Sequence, residues 1–219
     1  MEDRIAAACE RVRRDPAGVR LVVVTKTVDA GVIRELAALG VQDIGENRVQ
    51  DAAPKIDSLR DIPGLRFHMI GHLQRNKARQ AVRLFHVIHS IDSLQLAQAV
   101  DRAVGEETAA PRPVPVLLEV NVSGEESKFG MDASAALETA AVVAALPNLC
   151  LDGLMTMAPL GAGEQQLRGV FRGLRELAER IRGEQGIAMP HLSMGMSQDY
   201  EIAVEEGATL VRVGTAIVG

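Results

Sequence analysis

The run Leu21-Val22-Val23-Val24-Thr25-Lys26-Thr27 sets four branched apolar residues just ahead of a lysine. Such a run, β-branched and without polar alternation, is the pattern of a strand covered on both faces. Strands of that kind belong to parallel sheets, whose crossovers lay helices over them. Lys26 closes a segment that otherwise excludes water, and it has two readings. A buried ammonium loses proton affinity and becomes an amine able to form a Schiff base. Alternatively the strand simply ends and Lys26 points into solvent, as most lysines do.

The neighbouring segments alternate in the same way on both sides of this run. Residues 2–14 predict a helix with Ile5, Ala8, Cys9 and Val12 on one face, ended by Asp15-Pro16. Asp29 stands where an N-cap belongs, ahead of Val32, Ile33, Leu36 and Leu39 at helical spacing, with Gly40 as the stop. Strands follow at 41–47, 66–71 and 86–91, separated by helices over 48–59 and about 74–85. A helix over 93–104 leads to Pro111-Arg112-Pro113-Val114-Pro115, a rigid connector, and then to a strand over 116–122. Residues 132–146 form an alanine-rich helix, and 149–157 a strand interrupted by Asp152-Gly153. Leu167, Val170, Phe171, Leu174, Leu177, Ala178 and Ile181 make one apolar stripe, which packs on a sheet. A strand over 191–195, a helix over 198–206 and a strand over 209–213 complete the chain.

Eight strands in strict alternation with helices imply a parallel sheet with helical crossovers. Eight units in 219 residues fit a single closed (β/α)8 barrel over 1–219, near the lower size limit of that α/β fold. A doubly wound open sheet is the alternative, but no Gly-x-Gly-x-x-Gly follows the first strand.

Composition narrows the function classes. Hydrophobic residues at 47% and charged residues at 24% suit a globular protein, and a net charge of −5 offers no footprint for nucleic acid or an anionic membrane. No apolar run approaches a bilayer span, and the first residues do not read as a signal peptide. Cys9 and Cys150, two isolated thiols, point to a reducing, cytoplasmic setting. With no Trp, one Tyr and four Phe, the core has to be built from aliphatic residues and Met.

In a barrel of this type chemistry sits at the C-terminal ends of the strands. Those ends carry Lys26, Glu46-Asn47, His72, Ser90, Asn121, Thr156, Ser193 and Arg212. Gly195-Met196-Ser197 runs into a helix, so backbone N–H groups and the Ser197 hydroxyl form an anion site there, unless Ser197 is an ordinary N-cap. Gly214-Thr215 after the last strand adds close backbone approach and another hydroxyl, and phosphate sites after strands seven and eight recur in barrels. A lysine facing a phosphate across the barrel mouth suits pyridoxal 5'-phosphate (PLP). Arg212 between them would leave the pyridine nitrogen unprotonated, because arginine does not release its proton. Otherwise Arg212 pairs with a carboxylate such as Glu46 or Glu119.

The segments 24–27 (Val-Thr-Lys-Thr), 45–50 (Gly-Glu-Asn-Arg-Val-Gln) and 68–77 (His-Met-Ile-Gly-His-Leu-Gln-Arg-Asn-Lys) carry a family resemblance. So do 127–131 (Ser-Lys-Phe-Gly-Met), 153–157 (Gly-Leu-Met-Thr-Met), 192–199 (Leu-Ser-Met-Gly-Met-Ser-Gln-Asp) and 211–217 (Val-Arg-Val-Gly-Thr-Ala-Ile). In this order they resemble the PLP-binding YggS/PROSC family, the PLP homeostasis proteins. The resemblance implies a PLP aldimine on Lys26, with the phosphate held by Ser193, Ser197, Gly214 and Thr215. It also implies Arg212 at the pyridine nitrogen, Asn47 near the ring and Lys128 as a secondary contact to PLP.

The barrel and the Lys/Arg pair are similar to the N-terminal domain of fold-type III PLP enzymes, the alanine racemases among them. Those enzymes use a second domain and a tyrosine base, neither of which this sequence offers; Tyr200 falls in the first turn of a helix, and His72 is the remaining acid–base candidate. The expectation is therefore a monomeric PLP carrier without catalytic residues, delivering to apo-enzymes, with weak amino-acid racemase activity as the alternative. His68-x-x-x-His72 has metal-like spacing, but no third ligand stands out and a structural role is expected.

Overall fold

Each β-rich run of the sequence becomes one strand of a closed, all-parallel barrel whose neighbours follow chain order from first to eighth. The computed structural model describes residues 1–107, 113–125 and 129–219. Its strands are β1 (Arg20–Val24), β2 (Asp43–Glu46), β3 (Arg66–Met69), β4 (Val87–Ile91), β5 (Val114–Glu119), β6 (Leu149–Met155), β7 (His191–Ser193) and β8 (Leu210–Val213). The helices are α1 (Glu2–Arg11), α2 (Ala30–Ala38), α3 (Val49–Ser58), α4 (Ala78–Leu84), α5 (Leu94–Glu106), α6 (Ala133–Ala144), α7 (Glu164–Gln185), α8 (Tyr200–Glu205) and α9 (Thr215–Val218). The barrel closes where Arg20, Val22 and Val23 of β1 pair with Leu210, Arg212 and Val213 of β8. The (β/α)8 reading holds, and a short ninth helix follows β8. Among the described residues no helix is long and apolar enough to cross a membrane.

Local chemistry accounts for the elements. The Asp29 carboxylate accepts the Val32 N–H at the start of α2, and Asp132 accepts that of Ala135 at the start of α6. All seven members of the apolar stripe on α7 are buried. α1 lies against α8: Arg4 and Arg11 pair with Glu201, and the Arg14 guanidinium donates to the carbonyls of Val204 and Ala208. These mostly exposed ion pairs add little each.

β5 and β6 depart from expectation for identifiable reasons. Val114 and Pro115, expected in the connector, belong to β5 and pair with Leu149 and Cys150; residues 111 and 112 lie outside the described residues. Val114 donates to the Asn148 carbonyl, so the nitrogen of Pro115 faces the β4 side, where pairing starts only at Val116. A proline costs nothing in a ladder that has not yet begun. In β6 the register with β5 shifts at Asp152-Gly153 without ending the strand. A Cβ at Gly153 would stand 1.9 Å from the His191 carbonyl oxygen, so β7 can approach only a glycine there.

The core has two parts. The larger lies between strands and helices and takes most of the aliphatic residues. The smaller is inside the barrel, where Val22, Leu117, Met155 and Leu210 pack together. Because residues in parallel register face the same side, the inward positions also include Asp43, His68, His89, Glu119, Ser193 and Arg212. All six are buried. Such interiors are ordinarily filled by branched apolar side chains, whereas six of these ten inward positions are polar or charged.

Candidate functional site

At the C-terminal end of the barrel a cavity of about 590 Å³ opens, a size suited to a small cofactor. Lys26, Asn47, Ser197, Arg212, Gly214 and Thr215 all line it, so six of the seven expected site residues share one pocket. Its apolar wall includes Val24, Ile70, Met157 and Phe129.

Lys26 is exposed within this pocket rather than buried. β1 ends at Val24, and Lys26 sits in the following turn, so the buried-ammonium reading is corrected. The turn is held from behind. The Thr25 hydroxyl donates to Glu46 Oε1 at 2.6 Å, and Lys55 Nζ of α3 donates to Glu46 Oε1 at 2.9 Å and to the Thr25 carbonyl at 2.8 Å. Glu46 is therefore committed to Lys55 and Thr25, not to Arg212.

Ser197 and Gly214 come from different loops, joined by a hydrogen bond from the Gly214 N–H to Ser197 Oγ at 3.3 Å. The turn that carries Ser197 is made possible by Gly195, whose φ is +93°. A Cβ there would lie 2.6 Å from Ala203 Cβ and 2.9 Å from Tyr200 Cα. Helix α8 starts at Tyr200 instead of residue 198, because 197–199 form a turn closed by the Met196 N–H on the Asp199 carboxylate. Ser197 is thus not the N-cap of α8; that position is Asp199.

Arg212 forms the floor. Its Nη1 donates to Ser193 Oγ at 2.6 Å and its Nη2 to the Thr156 carbonyl at 3.0 Å. Burial pushes this guanidinium down to about 10, against the opposing pull of the Glu119 and Asp199 carboxylates. Among the described residues it makes no direct carboxylate pair. Ser193, the seventh expected residue, does not line the cavity: it is fully buried, with its hydroxyl between Arg212 and His89. Its place is under the arginine.

The two histidines with metal-like spacing part company. His68 points into the barrel, bonded to Asp43 and His89. His72 stands at the mouth, stacked on Phe129 with ring centroids 4.4 Å apart, its Nδ1 3.1 Å from Asp92. Among the described residues no group of three or more His, Cys, Asp or Glu could hold a metal. Tyr200 is buried outside the cavity lining, with Arg4 over its ring. Asn121 closes its own loop through Ser123, Gly124 and Glu125, and Thr156 donates to the Val120 carbonyl. Ser90 is buried outside the cavity lining. Lys128 lies outside the described residues.

A family model described as "Alanine racemase, N-terminal domain" matches residues 1–219. A protein of Aquifex aeolicus named "Pyridoxal phosphate homeostasis protein" is 41% identical over 217 residues, covering 99% of this chain and 93% of the relative. The chain belongs to the pyridoxal phosphate homeostasis protein family. The solved structure of PipY from Synechococcus elongatus PCC7942, with PLP bound, is 37% identical and matches with a TM-score of 0.87 over 100% of this chain and 99% of that one. An alanine racemase of Clostridium difficile, 11% identical, shares the fold at a TM-score of 0.76 over 98% of this chain and 58% of its own.

Several contributors to the pocket were not singled out from the sequence. Asp199 stands at the end of a motif with no sign of its turn-closing role, which depends on the turn that Gly195 allows. Phe129, Met157 and Ile70 carry no chemical signal of their own and become walls only when three loops meet. Lys55 sits on a helix that gave no reason to link it to Thr25.

Proposed function

We propose that residues 1–219 act as one PLP-binding barrel that takes up the cofactor reversibly, stores it and releases it to apo-enzymes. The observation that carries this reading is the single cavity in which the Lys26 amine, the Arg212 guanidinium and the Ser197/Gly214/Thr215 loops meet. The donor set matches the ligand. An amine is needed for an aldehyde, donors for a phosphate, a donor for a ring nitrogen and an apolar wall for a flat ring. Bound PLP supplies an aldehyde and an electron-withdrawing ring; the protein supplies the rest.

In this reading Lys26 Nζ attaches to the aldehyde carbon with loss of water, and hydrolysis reverses it. Ser197, Gly214 and Thr215 hold the phosphate, and Asn47 lies beside the ring. Arg212 donates to the pyridine nitrogen and keeps it unprotonated, which makes the ring a weak electron sink. That supports storage over amino-acid turnover. The exposed position of Lys26 suits loading and release. The free thiols Cys9 and Cys150 fit a reducing cytoplasm, and we read the protein as a monomer there.

The racemase alternative has one observation in its favour: His72 at the mouth, bonded to Asp92, is placed as an acid–base group. Absorbance spectra with added PLP, before and after borohydride, beside Lys26→Ala, decide the first question. The expected result is a band that borohydride fixes covalently to Lys26 in the parent alone. A protein that stays colourless with added PLP refutes the proposal. Racemisation lost in Lys26→Ala would favour the enzyme, and an apo-enzyme that gains no PLP from the loaded protein would refute delivery.

A further inference from the structure

Five of the six polar residues inside the barrel form one continuous line. From the lower rim upward, Asp43 Oδ1 lies 2.8 Å from His68 Nε2, and His68 Nδ1 lies 2.9 Å from His89 Nε2. His89 Nδ1 lies 2.8 Å from Ser193 Oγ, which accepts from Arg212 Nη1 at 2.6 Å. Five side chains from five strands thus join the pocket floor to the opposite end of the barrel. Every member is buried. Asp43 is itself anchored at the rim by Arg66 Nη2 at 2.7 Å.

The chemistry of the two ends sets a direction. Arginine can only donate and an ionised carboxylate can only accept. Asp43 is held ionised: burial opposes its charge, but the His68 bond and the Arg66 charge outweigh it and lower its pKa. Burial, above all, holds the His89 ring neutral, well below its ordinary value. Among the described residues Ser193 Oγ has two side-chain partners, and because Arg212 can only donate to it, the serine proton is left for His89 Nδ1. With that ring neutral, one arrangement uses every donor along the line. Arg212 donates to Ser193, Ser193 to His89 Nδ1, His89 Nε2–H to His68 Nδ1, and His68 Nε2–H to Asp43.

We infer that Ser193, His89 and His68 are positioning residues: a one-way hydrogen-bond chain from Asp43 that fixes the orientation of Arg212 at the pocket floor. A barrel needs no such chain for packing, since branched apolar residues fill interiors more cheaply than buried polar groups. The chain instead orients a guanidinium that would otherwise choose among rotamers, as outer-shell partners orient ligating side chains elsewhere. It assigns Ser193 a task that its absence from the cavity wall leaves open. The inference rests on the proposed PLP site only in what Arg212 is oriented toward.

Nitrogen-15 NMR of the unloaded protein reads the imidazole tautomers without any cofactor. The expected result is Nε2–H on both His68 and His89, with the single His89 tautomer lost in Ser193→Ala and restored in Ser193→Thr. An Nδ1–H tautomer on either ring, a doubly protonated His68, or a His89 signal unmoved by Ser193→Ala would overturn the assignment. PLP titration of the same proteins reads the consequence. Ser193→Ala and His89→Phe should shift the absorbance maximum of bound PLP and weaken binding about tenfold, the scale of one hydrogen bond to a charged group. Parent-like spectra and affinity in both variants would overturn the positioning role. A parent that binds no PLP would refute the proposed function alone, and the tautomers would still decide the chain.

Discussion

Glu119 ends β5, facing inward, and is 2% exposed. Among the described residues its Oε2 has no hydrogen-bond partner. Burial, then the nearby Asp92 charge, raise its pKa from 4.5 to about 7, with Arg212 pulling the other way. The folded state therefore binds this proton more tightly than the unfolded chain does. The resulting stability is fully present below the unfolded value of 4.5 and is lost as pH rises through about 7. At about 1.4 kcal/mol per pH unit, the whole displacement corresponds to roughly 3 kcal/mol, of which about 2.5 kcal/mol falls between pH 5 and 8. Glu119→Gln removes the titration and keeps the shape. Relative to the parent, the variant should gain about 2.5 kcal/mol of stability between pH 5 and pH 8, or about 5–10 °C in Tm for a chain of this length. Urea denaturation of both proteins at pH 5, 6, 7 and 8 checks this. A variant-minus-parent difference that stays constant across that range would refute the reasoning, because it would mean that Glu119 titrates alike in both states.

Two other perturbations test the support of the pocket. Lys55→Met strands the Glu46 carboxylate, whose side chain is only 1% exposed, and should cost about 3–5 kcal/mol in urea denaturation. The double variant with Glu46→Gln should recover most of that loss; a cycle showing simple additivity would mean that the pair is not coupled. Gly195→Ala forces a Cβ into Ala203 and Tyr200 at a left-handed backbone position, and should cost about 1–3 kcal/mol or more. PLP binding should weaken with it, because the same turn carries Ser197, and parent-like stability with parent-like binding would contradict the tight approach.

Much of the barrel was legible in the sequence because its signals are local. The apolar runs at 21–24 and 116–118, the Asp29 cap and the α7 stripe each depend on residues within a few positions of one another. The loops after β7 and β8 were legible for the same reason, since glycine and hydroxyl residues mark close backbone approach wherever the chain goes. Pro115 shows the limit of local reading. Proline argues against a strand until pairing with the neighbouring strand is known to begin one residue later.

The sequence by itself determined the alternation of strands and helices, and with it a closed parallel barrel with its chemistry at one end. Only the tertiary structure decided which side chains meet. Lys26 turned out exposed because β1 stops two residues earlier, and Ser193 lies under Arg212 rather than on the pocket wall. The line from Asp43 to Arg212 draws one residue from each of five strands, separated by up to 104 positions between neighbours. Period-two alternation states that each of them faces inward or outward. Which inward residues become neighbours is set by barrel closure and strand register, a property of the whole sheet that no segment encodes alone.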